Sequence, residues 1–228
     1  MLIEKHLIIL ANSRKLNGRC VAGKEIYGGQ IGEWIRPVGI NGHGELSLRQ
    51  IQCQGGSDPN LLDIVKIELI RRTPQKYQTE NCLVNARVSW EMISRFPPER
   101  IAELLDEHNQ MWLNGHSSGL GRNDRIPHEI AEAKETSSLR LIRPENLSLL
   151  ITSWDGRKKI RVEFILGGVN YSLGCTDPVV ERKLRSLDDG KYHLTGDNHS
   201  LCVSLGSPFE GYVYKLVAGI IGFKGVSG

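Results

Sequence analysis

Three adjoining runs decide the fold: Lys158-Lys-Ile-Arg-Val-Glu-Phe-Ile-Leu166, Asn170-Tyr-Ser-Leu-Gly174 and Thr176-Asp-Pro178-Val-Val180. The first run alternates, so Ile160, Val162 and Phe164 fall on one face of a strand. The second run continues as a strand. Thr176 or Asp177 then offers an N-cap, and Pro178 sits at the first helical position, where its missing N–H has no intrahelical partner to lose. Val179, Val180, Leu184 and Leu187 follow at helical spacing. Leu139–Ile142 and Leu147–Trp154 are apolar strand candidates upstream, separated at Pro144. Leu201–Leu205 and Tyr212–Ile221 are strand candidates downstream.

Counted from Leu147, the order is strand, strand, strand, helix, strand, strand. That is the order of the OB fold, a five-stranded, partly open Greek-key barrel used for nucleic acids and sugars. Residues 1–96 have a compatible strand count: Lys5–Asn12, Gly18–Ile26, Glu33–Val38, Asp63–Ile70 and Asn81–Val88. Their longest connection, Gly39–Leu62, carries no obvious helix. Between the lobes, Pro97-Pro98 opens a segment with Ile101, Leu104, Leu105, His108, Met111 and Trp112 at amphipathic-helix spacing. A Gly-rich stretch, Asn114–Asp124, and a short helix candidate, Pro127–Thr136, complete it. The expected architecture is mainly β with minor α: two OB-like five-stranded barrels, residues 1–96 and 137–228, joined by a helical connector at 97–136.

Composition sets the outer bounds. The chain has 228 residues, 25 of them glycine, with charged residues at 24% and a net charge of +3. This is ordinary globular composition, and the glycines, lacking a Gly-X-Y period, read as tight turns between short strands. The charge is unevenly spread: +4 over residues 1–96, −4 over 97–136 and +3 over 137–228. Two basic lobes flank an acidic connector, which points to an anionic partner more clearly than the total does. The longest apolar runs, Leu7–Ala11 and Leu216–Ile221, fall far short of the roughly 20 residues of a membrane helix. With no secretory signal at the N-terminus, a cytoplasmic protein with no membrane partner is expected. The five cysteines, Cys20, Cys53, Cys82, Cys175 and Cys202, have neither zinc nor redox spacing and read as reduced, mostly buried thiols.

Four clusters are candidate binding elements. Asn12, Ser13, Arg14 and Lys15, with Arg19 and Lys24, fall at the first hairpin of the first lobe, where they either pair phosphates or merely keep a turn soluble. Trp34 and Arg36 share one strand face, forming either a stacking platform with a cation or, with Trp34 inward, part of the core. Arg157, Lys158, Lys159 and Arg161 follow Asp155-Gly156, a favoured two-residue turn, with Trp154 just before it as a second stacking candidate. The Gly115–Arg125 loop, with His116, Arg122, Asn123, Asp124 and Arg125, is either an anion loop or a plain loop in which Asp124 pairs with an arginine. Arg71, Arg72 and Lys76 form a weaker basic group.

For catalysis the motifs are absent. The seven histidines show no His-Glu-x-x-His spacing, and His108 reads as packed on the helix face. There is no Gly-x-Ser-x-Gly elbow, P-loop or Gly-x-Gly-x-x-Gly fingerprint after a strand. Neither a cofactor nor a metal is expected.

The runs Leu10-Ala-Asn-Ser-Arg-Lys-Leu-Asn-Gly-Arg-Cys-Val-Ala-Gly23 and Gly32-Glu-Trp-Ile-Arg-Pro-Val38 resemble the opening of the bacterial dual-OB-domain proteins. Cys202-Val-Ser-Leu-Gly and Tyr214-Lys-Leu-Val-Ala218 are similar to their ending. The resemblance implies two OB-like barrels, nucleic-acid binding and a connection with bacterial conflict or defence systems. It carries no catalytic residues. The leading expectation is therefore a non-catalytic binder of single-stranded or structured RNA or DNA. An enzyme acting on nucleic acid or nucleotide in an inter-lobe cleft, and a scaffold or sensor subunit meeting a protein partner, are the alternatives.

Overall fold

Leu7 to Ala11 are buried without exception, so the first strand is apolar on both faces and reads as a continuous run rather than an alternation. This run is the middle of β1 (Ile3–Lys15) in a computed structural model that describes residues 2–40, 44–135 and 137–227, apart from the Trp154 side chain. The chain divides into two units, Met1–Leu105 with Thr136–Ser138, and Asp106–Glu135 with Leu139–Gly228.

In the first unit β1 is followed by β2 (Gly18–Tyr27), β3 (Gln30–Val38), α1 (Leu48–Ile51), β4 (Asp63–Arg72), β5 (Asn81–Val84) and β6 (Glu91–Arg95). The ladder runs β1-β2-β3-β5-β4, and β1 pairs back to β4 from Ile3↔Leu69 to Ile8↔Ile64. This closes a five-stranded barrel, with β6 added outside on β4. β3 and β5 are parallel, with Arg36↔Asn81, Pro37↔Cys82 and Val38↔Leu83 paired. Leu7, Ile9, Val21, Ile35, Val65, Ile67, Leu69, Cys82 and Val84 fill the interior, and Leu46, Ile51 and Trp90 join the same cluster. At roughly 1.5–3 kcal/mol for each large side chain buried, this core, rather than any one polar contact, holds the barrel. The β3–β4 connection carries one helical turn, α1, where the sequence shows none. Ser47 caps it, accepting from Gln50 N at 3.3 Å while Gln50 Oε1 accepts from Ser47 N at 2.8 Å, which is a capping box.

Barrel closure needs β2 to cross β1 closely, and Gly23 permits it. A β-carbon at Gly23 would overlap the Ile8 carbonyl, beside a register shift between Ile9 and Ala11 that bends the ladder.

The second unit contains β7 (Arg125–Pro127), α2 (His128–Lys134), β8 (Leu139–Ile142), β9 (Glu145–Trp154), β10 (Arg157–Leu166), β11 (Val169–Cys175), α3 (Pro178–Lys183), β12 (Gly190–Leu194), β13 (Ser200–Phe209), β14 (Tyr212–Ile221) and β15 (Val226–Ser227). The order is β15-β12-β9-β10-β11-β14-β13-β8, with β7 on β14. Its centre repeats the first unit: a first strand flanked by the second and fourth (β9 between β10 and β12), and a third strand parallel to the last (β11 beside β14). Among the described residues β12 and β14 do not pair, so the ladder is an open path; where a five-stranded, partly open OB-like barrel with Leu201–Leu205 as its fourth strand is expected, β12 takes that place beside β9 and Leu201–Leu205 lies in β13 between β14 and β8. The helix start holds as read. Asp177 accepts from Val179 N at 2.8 Å and Val180 N at 3.4 Å, and its other oxygen accepts from Ile220 N at 3.1 Å. One carboxylate thereby caps α3 and fixes it to β14.

The connector differs from expectation. Pro98–Leu104 is a 3₁₀ turn that buries Ile101 and Leu104 in the first unit. From Asp106 the chain belongs to the second unit, and the expected helix does not continue. Asp106 N donates to Leu141 O at 2.8 Å, and Leu141 N donates to the Asp106 carboxylate at 2.7 Å. Met111 N donates to the Tyr171 hydroxyl at 3.0 Å. Strand and side-chain partners replace the i→i−4 bonds, Trp112 takes a φ of 42°, and His108 is exposed rather than packed. Among the described residues no helix is long and apolar enough to cross a membrane.

Replacing Gly23 by alanine should cost about 1–3 kcal/mol in urea unfolding, the usual penalty of overpacking. Gly119→Ala, where a β-carbon meets nothing within 4 Å, should stay within about 0.5 kcal/mol of the parent. Equal stabilities for both variants would contradict the close β1–β2 crossing.

Candidate nucleic-acid interface

The first hairpin separates by role. Asn12 Nδ2 donates to Pro59 O at 2.9 Å and Ser13 Oγ donates to Cys20 O at 3.3 Å; both hold backbone. Arg19 exchanges main-chain bonds with Leu46, at 2.7 and 2.9 Å. Arg14 is exposed and Lys15 half-buried at the turn. Burial, and the Arg36 cation in addition, pull the Lys15 pKa below its ordinary value.

Trp34 and Arg36 do share the outer face of β3, but the cation over the Trp34 ring is Lys24, its cross-strand partner, at 5.4 Å. Arg36 is only 3% exposed and pairs with Glu80 at 3.1 Å, while its N–H donates to Glu80 O at 2.9 Å. Ser138 donates its hydroxyl to the same carboxylate. Arg36 is thus committed to the barrel seam.

Beside that seam the parallel β3–β5 pair floors a cleft of about 230 Å³. Lys15 contributes from the β1–β2 hairpin, Thr73, Gln75 and Gln78 from the β4–β5 connection, and Asn81 and Arg71 from the strands. The connection is folded on itself: Gln75 N donates to Gln78 O at 3.1 Å and Gln78 N to Gln75 O at 2.8 Å. Asn81 Nδ2 donates to Gln78 Oε1 at 3.3 Å. Asn81 Oδ1 and Thr73 Oγ1 are buried with no hydrogen-bond partner. Apart from Lys15 and the weakly weighted Arg71, these residues escape a search for basic clusters. Only the strand order, which brings the β4–β5 connection to the end of β3, identifies them.

In the second unit Asp155 and Gly156 take φ values of 49° and 68°, the two positive angles of a type I′ turn. Arg157, Lys158 and Lys159 stand exposed just beyond it. Trp154's side chain lies outside the described residues. Arg161, on the same strand face as Lys159, is internally paired: its guanidinium meets Asp124 Oδ2 at 2.7 Å and donates to Ser172 Oγ at 3.2 Å.

The Gly115–Arg125 loop is closely tied down. Asp124, 2% exposed, also accepts from Ser118 N at 2.8 Å and Ser118 Oγ at 2.6 Å. Asn123 accepts from Gly115 N at 2.7 Å and donates to Asn170 O at 3.0 Å. Arg122 forms a backbone bridge with Ser172, Arg125 lies 3.9 Å over the Tyr212 ring, and the His116 carbonyl accepts from Arg125 N at 3.4 Å. The N–H groups of Gly115, Ser118 and Gly121 are spent within the loop, so they do not converge on an anion. A β-carbon at Gly121 would overlap the Asp124 carboxylate. Lys215, fully buried in β14, supports the segment before the loop by donating to Leu113 O at 2.7 Å and Asn114 Oδ1 at 3.2 Å. Burial first, then the nearby Arg140 cation, lower its pKa from 10.5 to about 7. Among the described residues no group of three or more His, Cys, Asp or Glu is placed to hold a metal.

Lys215 gives a signed pH dependence. Its folded-state pKa lies below the unfolded one, so between about 7 and 10.5 the unfolded chain holds more protons and stability rises with pH. The slope contributed is at most ~1.4 kcal/mol per pH unit. Subtracting the urea-unfolding profile of Lys215→Met from that of the parent should isolate this rise; a flat difference would contradict it. Separately, Gly121→Ala should cost about 1–3 kcal/mol, read as a lowered melting temperature, and an unchanged melting temperature would count against the packed loop.

The dual OB-containing domain family matches residues 5–220. No curated protein matches the chain. The closed first barrel, the OB-like centre of the second unit and a family match over most of the length agree: the chain belongs to the dual OB-containing domain (DuOB) family.

Proposed function

We propose that the chain binds single-stranded nucleic acid without reacting with it. OB folds as a class bind oligonucleotides on the strand 2–3 face and through the loops between strands 1 and 2 and between strands 4 and 5. The observation that carries the reading is the cleft of the first unit, where those two loops meet the end of β3. Lys15 and Arg71 line it, and Arg14 stands on the adjoining hairpin. These cations suit phosphates, whereas the Trp34 face, with Lys24 against it, suits stacking. The exposed Arg157, Lys158 and Lys159 offer a second phosphate contact in the other unit. Arg36, Arg161, Asn12 and Ser13, held in internal bonds, support the interface rather than touch the ligand. His116, Asn123, Asp124 and Arg125 do the same within their loop.

Fluorescence anisotropy with labelled 12-nucleotide strands and the matching duplexes tests this. Single strands should bind more tightly than duplex, with affinity falling as salt rises. Each phosphate contact adds about 0.7 to the log–log slope. Arg14→Glu with Lys15→Glu should weaken binding about tenfold or more and flatten the slope by roughly one to two such increments. Absence of saturable binding to single-stranded DNA and RNA at low salt would overturn the proposal.

A further inference from the structure

The Gly115–Arg125 loop of the second unit is tied down more firmly than a plain connection needs, and what it covers is polar. Ser148, Glu163 and Ser172 stand side by side across β9, β10 and β11, on the sheet face opposite the core residues Val162, Phe164 and Leu173. Such a polar row is ordinarily open to solvent. Here Arg122 and Ser172 exchange main-chain hydrogen bonds at 3.2 and 3.0 Å, and the buried Asp124 carboxylate holds Arg161 at 2.7 Å. Ser172 is left 7% exposed and Ser148 2%. Between loop and sheet lies a pocket of about 480 Å³, inside the roughly 300–1,000 Å³ range of small-molecule sites. Its walls carry groups that a ligand can reach. Arg122, Asn146, Asn170 and Lys191 line it and are exposed. Glu163, its side chain 30% exposed, meets Lys191 Nζ at 2.8 Å. A carboxylate accepts several hydrogen bonds and an ammonium donates three, so this pair keeps capacity for a ligand. Arg122 is held by its main chain, and its side chain stands exposed on the pocket wall. Two cations and two amides around one carboxylate fit a ligand that is anionic at one end and carries hydroxyl donors at the other.

We propose that this pocket takes a terminal ribonucleotide, a 5′-phosphate with a free 2′,3′-diol, either as a free mononucleotide or as the 3′ end of an RNA. The Glu163 carboxylate accepts from the ribose hydroxyls, the role an acidic residue plays in dinucleotide sites. Arg122 pairs with the phosphate, to which a guanidinium can donate two parallel hydrogen bonds. Lys191, already against Glu163, screens that carboxylate from the phosphate. Asn146 and Asn170 offer donors and acceptors to the rest of the ligand. The anchored loop leaves little to order on binding. The site lies wholly in the second unit and does not rest on strand binding by the first.

Amide shifts of the ¹⁵N-labelled full chain, titrated with AMP and with UMP, test the site. Both should move residues 119–122 and 170–172 together and to saturation. The 2′,3′-dideoxy form of AMP, and adenosine, should each bind about tenfold more weakly than AMP. Glu163→Gln keeps the side-chain shape and should lower AMP affinity about tenfold while leaving that of the dideoxy compound unchanged. Arg122→Ala keeps the main-chain bridge to Ser172 and should bring AMP down to the affinity of adenosine. A six-nucleotide RNA identifies the source. Tighter binding than AMP at the same amides, lost when the 3′ end carries a phosphate, assigns the RNA terminus; weaker binding assigns the free nucleotide. The proposal is overturned by equal affinity for AMP and either its dideoxy form or adenosine, or by RNA binding there that a 3′-phosphate leaves undiminished. Absence of saturable shifts at both segments with either nucleotide and with the RNA also overturns it. Strand binding is scored separately, at the first-unit amides, so either reading can fail alone.

Discussion

A three-residue parallel pairing, Arg36–Val38 against Asn81–Leu83, governs the first unit. It inserts β5 between β3 and β4, and so carries the β4–β5 connection to the end of β3, opposite the β1–β2 hairpin. The buried Arg36–Glu80 pair guards its register, since Arg36 bonds Glu80 through both main chain and side chain. Such a pair adds little net stability over a well-packed apolar substitute. Losing one partner, however, strands a buried charge at a cost of about 3–5 kcal/mol. A slipped register would pay that cost, and would also turn Cys82 and Val84 out of the barrel core.

Basic residues therefore mean different things at different depths. Arg36 and Arg161 each sit in an ion pair with a buried carboxylate, and Lys215 is held beneath the Gly-rich segment. Their side chains organise backbone. Arg14, Arg157, Lys158 and Lys159 are exposed at hairpin turns, where a cation can be reached by a phosphate. The sequence shows both kinds as one run of Lys and Arg. Strand alternation does not separate them: Lys159 and Arg161 lie two residues apart on one face of β10, Lys159 exposed and Arg161 drawn in by the buried Asp124 carboxylate.

The fold is legible where side chains have one strong preference. β10 alternates, β9 and β11 are apolar runs beside it, and Asp177-Pro178 marks a helix start, so the first three strands and the helix of the second unit's centre follow in order, but its fourth strand, β12, does not. β6 is hidden because four of its five residues are exposed, and β12 because it is short and buries none of its residues fully. α1 is a single turn, too short for periodicity. The false helix near 101–112 arises because residues at helical spacing serve two units: Ile101 and Leu104 are buried in the first, Met111 and Trp112 in the second. In the candidate site the charged rim is legible, whereas Thr73, Gln75, Gln78 and Asn81 are not. Neutral amides and hydroxyls become informative only when the strand order brings them to one cleft.

The binding surface can be located residue by residue in solution by titrating the ¹⁵N-labelled full chain with a 12-nucleotide single strand and following amide shifts. The account predicts the largest changes at Arg14–Arg19, at Val38–Ile40 and from Thr73 to Leu83, growing together to saturation. Saturable changes that leave all three stretches unmoved would contradict it.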